Sequence, residues 1–501
     1  MIVLLAFSAA RAEQSMLRIL YVNDFHGFAE PHKPFGSDEV LGGIAYLSSR
    51  VNALRSEKPS ILLAAGDMIQ GDNWATMTTG ASVIELMNLM RFDAMVVGNH
   101  EFDFGQDVLR KRIAEAEFPV LGANIQGLDA LRPYVIKDIG GIKAGIIGVV
   151  TEETPVTTHP RNVTGLTFLP QETTVTRYIQ EISPGTDVII VLSHIGHQAD
   201  RVLAAHVEGI NIIVGGHSHT RIDSPVLAGK TILLQAWEHA KALGVLDITM
   251  EDGKIVKSEG HLEIISPEPG TEDRDVSFLV EKYRKKIDAV LSETIGETDV
   301  DLDGENVRRR ETNLGNLIAD IMRETSGADM ALINGGGIRT SIGKGALTVQ
   351  NIYSVLPFDN YLVAVRLSGK QIKGALEHGV SAIEEGAGRF PQVSGISFSY
   401  VRSAQPGSRV RDIIIRGKQM EPDREYHVAT NDFLAAGGDG YGAFGEALKS
   451  SKDFSLVGGV MTGEKLVYND SSRWIRDVVI EYIKDKCRIS PLTEGRIREI
   501  P

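Results

Sequence analysis

Short apolar runs alternate with amphipathic stretches along residues 17–265, and this alternation predicts a domain built of strands and helices. The spacing of apolar residues predicts helices over residues 42–58, 81–92 and 106–117. Nearly continuous apolar runs follow in KAGIIGVV, DVIIVLSH, NIIVGGH and TILLQAW, as expected for strands buried on both faces. We therefore predict a layered, largely parallel sheet structure covered by helices.

The pattern changes after residue 265. Residues 266–274, SPEPGTEDR, are polar and contain Pro and Gly, which indicates a boundary. Residues 275–293 have the apolar spacing of a helix, and we take 266–294 as a linker that contains it. The apolar positions of that helix are Phe278, Leu279, Tyr283, Ile287 and Leu291. Residues 295–501 carry Gly-rich motifs among short strands and helices, and predict a second, α+β domain.

The chain starts with an apolar run that ends in Ala10-Arg11-Ala12, a small-x-small pattern typical of cleaved export signals. The usual positive segment before such a run is missing. One interpretation is a truncated or mis-started export signal within residues 1–16, centred on residues 1–12; the other is an unstructured apolar start. We expect the first, and hence a periplasmic or secreted protein. No other stretch reaches the roughly 18 apolar residues of a membrane span, so we expect no stable membrane insertion.

Five predicted strands end in residue types that bind metals. These are Asp24 and His26 in ILYVNDFH, Asp67 in ILLAAGD, Asn99, His100 and Asp103 in AMVVGNHEFD, His194 in VIIVLSH, and His217 and His219 in IIVGGHSH. Open α/β sheets bind ligands at the carboxyl ends of their strands, so these side chains should converge. Carboxylate, imidazole and carbonyl ligands together favour hard to borderline divalent metals.

The spacing within the motifs suggests how cations could be held. Asp24 and His26 are two residues apart, and on an extended strand such residues point to the same face and can hold one cation. His217 and His219 repeat this spacing, while Asp67 has two oxygens and can bridge two cations. Eight further histidines lack a strand-end context, and we interpret them as structural. They are His32, His159, His197, His206, His239, His261, His378 and His427.

Length and charge narrow the function. A chain of 501 residues is too long for one hydrophobic core, which favours two or three domains. The formal charge of −14 argues against a nucleic-acid polymer as partner. It does not exclude anionic substrates, because bound metal ions can reverse the local field. The single cysteine, Cys487, rules out an intrachain disulfide.

The motifs DFH, GDMIQGD, GNHEFD, SHIG and GGHSH, in this order, resemble those of the calcineurin-like metallophosphoesterases. NGGGIR and NDFLAAGGDGY resemble the C-terminal domain of the 5′-nucleotidase and UDP-sugar hydrolase family. The resemblance runs from about residue 17 to 445. It implies an α/β class protein with a layered α/β/β/α phosphoesterase domain, a linker helix and a second α+β domain that binds substrate. It also implies two divalent metal ions, Zn, Mn or similar.

The resemblance assigns a role to each site residue. The ligands of the first metal would be Asp24, His26, Asp67 and His219; Asp67 would bridge to a second metal completed by Asn99, His194 and His217. His100 and Asp103 resemble the family's catalytic dyad. The substrate contacts would be Arg308, Asn334, Arg339, Phe358, Asn360, Phe433 and Asp439, with the two phenylalanines stacking on the base and Asp439 binding the ribose.

The implied function is a dimetal phosphohydrolase that releases phosphate from nucleoside 5′-monophosphates by metal-activated water. Related nucleotides would be further substrates: UDP-sugars, nucleoside di- and triphosphates and 2′,3′-cyclic nucleotides. Two alternatives stay open from the residues alone. One is a related dimetal hydrolase of another ester, and the other is a catalytically silent nucleotide-binding protein. The sequence leaves the metal's identity, the preferred base and the oligomeric state open.

Overall fold

The computed structural model describes residues 14–34, 38–451, 453–457 and 460–501. Residues 1–13 of the predicted export segment lie outside this range, so that segment stays a prediction. Ser15 and Met16 belong to the first strand, Ser15–Val22. Among the described residues, no helix combines the length and the apolar character needed to cross a membrane.

Two six-stranded sheets form the core of the N-terminal domain. The first has the spatial order Lys254–Ile264, Ala242–Glu251, Ser15–Val22, Ser60–Ala64, Ala94–Val96 and Val120–Leu121. The second has the order Val226–Ala228, Thr231–Gln235, Ile212–Gly215, Val188–His194, Ile142–Val150 and Tyr134–Ile139. In each sheet four neighbouring strands pair in parallel. In the first sheet they are the last four strands of the order given, and the two antiparallel strands lie on one side of them. In the second sheet they are the middle four, and one antiparallel strand lies at each end.

Helices cover the outer faces of both sheets. The α-helices of this domain are Ile44–Glu57, Asn73–Thr76, Ala81–Leu89, Gln106–Glu115, Thr154–Thr157, Gln171–Ile182 and His197–His206. The layer between the two sheets is built of apolar residues such as Ile19, Ile146 and Ile190, which are fully buried. The predicted α/β/β/α layering is confirmed, and the three predicted helices are present with slightly shorter bounds.

The helix of the predicted linker, Arg274–Leu291, packs into the N-terminal core. Its first turn is capped by the side chain of Asp273, which accepts hydrogen bonds from the backbone of Asp275 and Val276. Its buried face, Val276, Leu279, Val280, Ile287 and Leu291, packs into the cluster that covers the first sheet. Phe278 was expected on this face but is 75% exposed. It lies two residues after Val276, roughly 200° around the helix.

The C-terminal domain is mixed α+β, as predicted. Its five-stranded sheet has the order Pro391–Ser394, Met330–Asn334, Glu425–Asn431, Tyr361–Ser368 and Leu466–Trp474. Smaller sheets pair Gly345–Thr348, Thr294–Thr298 and Arg488–Ile489, and pair Lys418–Gln419, Val410–Ile415, Ile396–Val401 and Ile497–Ile500. The helices are Asn313–Ser326, Val349–Val355, Gly369–Gly379, Asp432–Ala435, Gly442–Lys449 and Ile475–Lys486.

The helix Val349–Val355 joins the two domains. Asn73 of the N-terminal domain donates hydrogen bonds to the carbonyl of Gln350 at 3.1 Å and to Ser354 Oγ at 2.8 Å. Tyr353 packs against the hydrophobic cores of both domains. Beside this contact the domains enclose a cleft of about 1830 Å³. The cleft is lined by loops from both domains. The strand-end residues that line it are Asp67, Asn99, His100, Asp103, His217 and His219.

Candidate metal centre and substrate cleft

Six of the seven predicted metal ligands, all but Asn99, form two adjacent groups. The ligand atoms within each group lie within 4.8 Å of one another, and the groups are Asp24, His26 and His219, and Asp67, His194 and His217. Asp67 touches both groups, because its Oδ2 lies 3.1 Å from His194 Nε2 and 3.7 Å from His26 Nε2. In the first group, His219 Nε2 lies 3.3 Å from Asp24 Oδ1. This arrangement suits two cations that share the Asp67 carboxylate.

The ligands converge through left-handed loop residues. The strand before Asp24 ends at Val22, and the strand before His217 ends at Gly215. The expectation that each i, i+2 pair lies on an extended strand is therefore wrong. The positive φ angles are 49° at Asp24, 48° at His26, 54° at Asp67, 75° at His217 and 51° at His219. His217 and His219 consequently fall into different groups, which the strand argument alone did not predict.

Two glycines let these loops approach one another. A Cβ at Gly98 would lie 2.2 Å from Asp67 Oδ1 and 2.7 Å from His194 Nε2. A Cβ at Gly66 would lie 2.5 Å from His194 Nδ1, and Gly66 also has φ +84°. Both positions therefore exclude any side chain. The glycines before Asp67 and Asn99 matter at least as much for close packing as for turning the chain.

Hydrogen bonds orient two of the histidines for metal binding. His26 Nδ1 donates to the carbonyl of Gln70 at 2.8 Å, and His194 Nδ1 donates to the carbonyl of Ala65 at 2.7 Å. With Nδ1 engaged in this way, Nε2 is the nitrogen that each ring directs to the centre. Asn99 Oδ1 is buried without a hydrogen-bond partner. Because buried polar atoms are normally satisfied, this orphaned acceptor fits a bound cation.

The charges of the centre also favour a cation. Burial opposes a charge on His194, but Asp67 outweighs it and raises the imidazole pKa to about 10. Burial likewise opposes a charge on His219, while Asp24 raises its pKa to about 9. Burial and then His194 lower the pKa of His217 to about 4, so that this ring is neutral, as a ligand must be. The carboxylates therefore favour positive charge here, which divalent ions would supply.

Glu101, a residue that sequence reasoning missed, holds two of the ligand loops together. Its buried carboxylate accepts hydrogen bonds from the backbone N–H groups of Asp67 at 2.9 Å, Met68 at 2.7 Å and Ile69 at 3.2 Å. It accepts a fourth from the backbone of Gly98. The signal was present, because Glu101 lies inside the GNHEFD motif. The residue type did not reveal its role, because a carboxylate beside predicted ligands suggests a further ligand and not an acceptor for backbone N–H groups.

The predicted dyad is in contact. His100 Nδ1 donates to Asp103 Oδ2 at 2.6 Å, and Asp103 Oδ1 accepts a hydrogen bond from Thr158 Oγ1 at 2.7 Å. Burial opposes a charge on His100, but Asp103 and Asp67 outweigh it and raise its pKa. The backbone N–H of His100 donates to Asp67 Oδ1 at 3.0 Å. The ring is therefore fixed next to the metal-ligand candidates, with Nε2 directed away from Asp103.

The polar residues predicted to contact substrate line the opposite wall of the cleft. Asn334 Nδ2 donates to Asp439 Oδ2 at 2.6 Å, so these two form one unit. Arg339 reaches across the cleft, and its Nη2 lies 3.4 Å from His26 Nε2. Burial and then Arg308 lower the pKa of Arg339 to about 10. Arg339 thus faces the metal-ligand candidates with Arg308 near enough to repel it, and an anion bound between them would relieve this repulsion.

The two predicted stacking phenylalanines line the same cleft but have different neighbours. Phe358 stacks on His100 with ring centroids 5.8 Å apart, and Arg339 lies 5.9 Å from the Phe358 ring. The Phe433 ring lies 6.5 Å from His159. A Cβ at Gly438 would overlap the Phe433 ring at 2.3 Å, which explains a glycine of the NDFLAAGGDGY motif. Asn360 also lines the cleft.

Four of the histidines interpreted as structural line this cleft, namely His32, His159, His197 and His239. The ring of His239 is 5.9 Å from that of His219, and Glu238 accepts a hydrogen bond from His219 Nδ1. His159 Nε2 lies 3.3 Å from Asp432 Oδ2 at the cleft wall. Glu238 and His239 follow the parallel strand Thr231–Gln235. The strand-end argument, applied to TILLQAW as well, would have found them.

The chain resembles known proteins over nearly its whole length. Residues 17–221 match the calcineurin-like phosphoesterase family, and residues 294–446 match the C-terminal domain of 5′-nucleotidases. The chain is 33% identical to 5′-nucleotidase of Homo sapiens, over 96% of this chain and 90% of that protein. A crystal structure of a 5′-nucleotidase precursor from Thermus thermophilus aligns with a TM-score of 0.86 and 32% identity, over 97% of this chain and 99% of that one.

A further relative is much longer. The trifunctional nucleotide phosphoesterase protein YfkN of Bacillus subtilis is 35% identical over 97% of this chain, and the match covers 35% of that protein. The chain therefore spans about a third of its length.

We expect Gly98→Ala to weaken divalent metal binding by about tenfold or more, the scale on which disturbing the support of ligands acts. The reason is that the new methyl group would displace Asp67 or His194. Calorimetric titration of metal-stripped protein with Zn²⁺ measures this. The matched control is Gly374→Ala in the helix Gly369–Gly379, where the methyl group meets nothing within 4 Å. Equal affinity of the two variants would contradict the assigned packing.

Proposed function

We propose that this chain, which belongs to the 5′-nucleotidase family of calcineurin-like metallophosphoesterases, hydrolyses nucleoside 5′-monophosphates to nucleosides and phosphate. The observation that carries the proposal is the pair of ligand groups joined by Asp67, with the His100–Asp103 dyad beside them. A catalytically silent binding protein would have no need for these two ligand groups or for a dyad.

Each side of the cleft contributes a different part of the reaction. The two ligand groups would hold two divalent ions, which would supply an activated water and stabilise negative charge on the phosphoryl oxygens. Arg339 and Arg308 would bind the substrate anion and hold it against the centre, since a guanidinium offers forked donors that match phosphate. His100, fixed by Asp103, would donate a hydrogen bond from Nε2 to the phosphoryl group as negative charge grows there.

The C-terminal domain would recognise the nucleoside. Asp439, held by Asn334, presents a carboxylate that can accept hydrogen bonds from ribose hydroxyls. Burial raises the pKa of Asp439, and Asn334 opposes this shift. Phe358 and Phe433 offer aromatic faces to the base, and such stacking tolerates different bases. The size of the cleft, about 1830 Å³, leaves room for UDP-sugars, nucleoside di- and triphosphates and 2′,3′-cyclic nucleotides as further substrates.

We expect purified protein to release phosphate from AMP, to lose this activity in a chelator and to regain it when Zn²⁺ or Mn²⁺ is added back. The reason is that the cation supplies the charge and the activated water. Parallel assays with UDP-glucose, ATP and 2′,3′-cAMP rank the related substrates. Full activity after exhaustive metal removal, or no hydrolysis of any nucleotide with metal present, would refute the proposal.

We expect His100→Asn to lower kcat for AMP by about two to four powers of ten, the usual effect of losing one preorganised donor. Metal content, measured by elemental analysis, should stay the same, because His100 is not one of the clustered ligands. His206→Asn is the control, since His206 pairs with Glu172 on the surface. An unchanged kcat would remove His100 from the mechanism.

We expect Phe358→Ala combined with Phe433→Ala to raise KM for AMP about tenfold or more, because stacking on a base contributes about 1–3 kcal/mol. The rate on a small activated ester such as bis-nitrophenyl phosphate should be spared. That ester also reports whether losing the contact between Phe358 and His100 disturbs the dyad. Phe278→Ala, at an exposed phenylalanine, is the control. An equal loss on both substrates would mean that the rings act through the fold.

A further inference from the structure

Glu238 lies behind His219, on the side away from the other ligands. Its Oε2 accepts a hydrogen bond from His219 Nδ1, while its Oε1 accepts one from Lys241 Nζ at 2.5 Å. His219 Nε2 is left facing Asp24 Oδ1 at 3.3 Å and His26 Nε2 at 3.3 Å. The carboxylate thus occupies the position that backbone carbonyls occupy behind His26 and His194.

The segment that carries Glu238 is tightly held. Its residues Trp237, His239 and Ala240 have positive φ angles of 65°, 56° and 53°. Asn23, next to a metal ligand, accepts a hydrogen bond from the backbone of Ala236 and donates one to the carbonyl of Trp237, each at 2.6 Å. Lys241 Nζ also lies 3.9 Å from the centroid of the Trp237 ring. Strained backbone of this kind persists only where its surroundings enforce it.

Glu238 could in principle be a metal ligand itself, because its ligand atoms cluster with those of His219 and His239. Two contacts argue against this. The Lys241 ammonium occupies Oε1 and would repel a cation there. The other oxygen accepts the Nδ1 proton of His219, so His219 offers no lone pair on this side. The cluster is therefore better suited to orienting one ligand than to binding a third ion.

We propose that Glu238 is a positioning residue that fixes the ring and tautomer of His219, so that His219 Nε2 binds the first metal ion. This inference rests on the proposed dimetal centre and adds a residue to it. Hydrogen bonding of a ligand histidine to a carboxylate raises the basicity of the ligand and fixes its orientation. Lys241 holds the carboxylate in place and balances its charge.

The test measures metal binding in the absence of substrate, so that it does not depend on hydrolysis. Metal-stripped full-length protein is titrated with Co²⁺ by calorimetry, and the visible absorption of the bound Co²⁺ is recorded. We expect Glu238→Ala to weaken one of the two sites about 10- to 100-fold and to change its absorption, with the other site unchanged. Glu238→Gln keeps an acceptor for Nδ1 and should lose less. Glu172→Gln, which alters the surface pair with His206, is the matched control.

A double-mutant cycle separates positioning from support of the fold. If Glu238 acts through His219, Glu238→Ala should have no further effect on Co²⁺ affinity in a His219→Gln background. Removing the Glu238 carboxylate also leaves the buried Lys241 ammonium without its partner, so a lower melting temperature of Glu238→Ala is expected and does not bear on the inference. An undiminished effect in the His219→Gln background or unchanged Co²⁺ binding would overturn the inference.

The outcomes also separate this inference from the proposed function. If the expected Co²⁺ results are obtained while AMP is not hydrolysed, the role of Glu238 stands and the proposed substrate is wrong. A protein that binds no divalent ion at all would overturn both.

Discussion

The burial of Asp24 and Asp67 next to four histidines is the constraint on which the rest of the site depends. Two carboxylates removed from water need compensation, and backbone groups supply part of it. Asp24 accepts from the backbone N–H of His217, and Asp67 accepts from that of His100. Positive charge between the ligand groups would compensate the rest of the cost of burying these carboxylates. The site is thus built to be completed by cations, and its loops are arranged around that requirement.

The backbone adopts unfavourable conformations to meet this requirement. Non-glycine residues with left-handed φ angles each carry a cost of about 1–3 kcal/mol, and five metal-ligand candidates have them. They persist because the strands that precede these loops belong to two sheets that pack face to face through a buried apolar layer. Ile146 and Ile190, for example, are fully buried in that layer. The packed core of the N-terminal domain therefore stabilises loops that would not hold this shape by themselves.

The sequence predicted the elements better than their ends. Buried runs such as DVIIVLSH are strands because a hydrophobic pattern reports directly on burial, and the ligand types at their ends mark the site. The loop geometry could not be predicted, since spacing alone does not reveal φ at His217 or His219. Phe278 was misplaced because an apolar residue at a near-helical spacing need not be buried.

Residues that act through other residues were the hardest to find. Glu101 lies inside GNHEFD and Glu238 follows a strand end, so their positions indicate the site but not their roles. Glu101 binds backbone N–H groups, and Glu238 binds a histidine. The metal-ligand candidates were found because several strands carry the same residue types to one edge. Their supporting residues come from loops whose proximity depends on the whole fold, and that information is not local.

The position of the linker helix determines where the chain divides into folding units. Because Leu279, Ile287 and Leu291 fill the core over the first sheet, the N-terminal unit extends to Leu291 and not merely to the end of its last strand. Lys282 and Tyr283 tie the helix further to Glu85. The segment that connects the two units is therefore only Ser292 and Glu293, since the next strand begins at Thr294. Any exchange of substrate-recognition modules between such chains would have to cut there, or leave an apolar groove open to water.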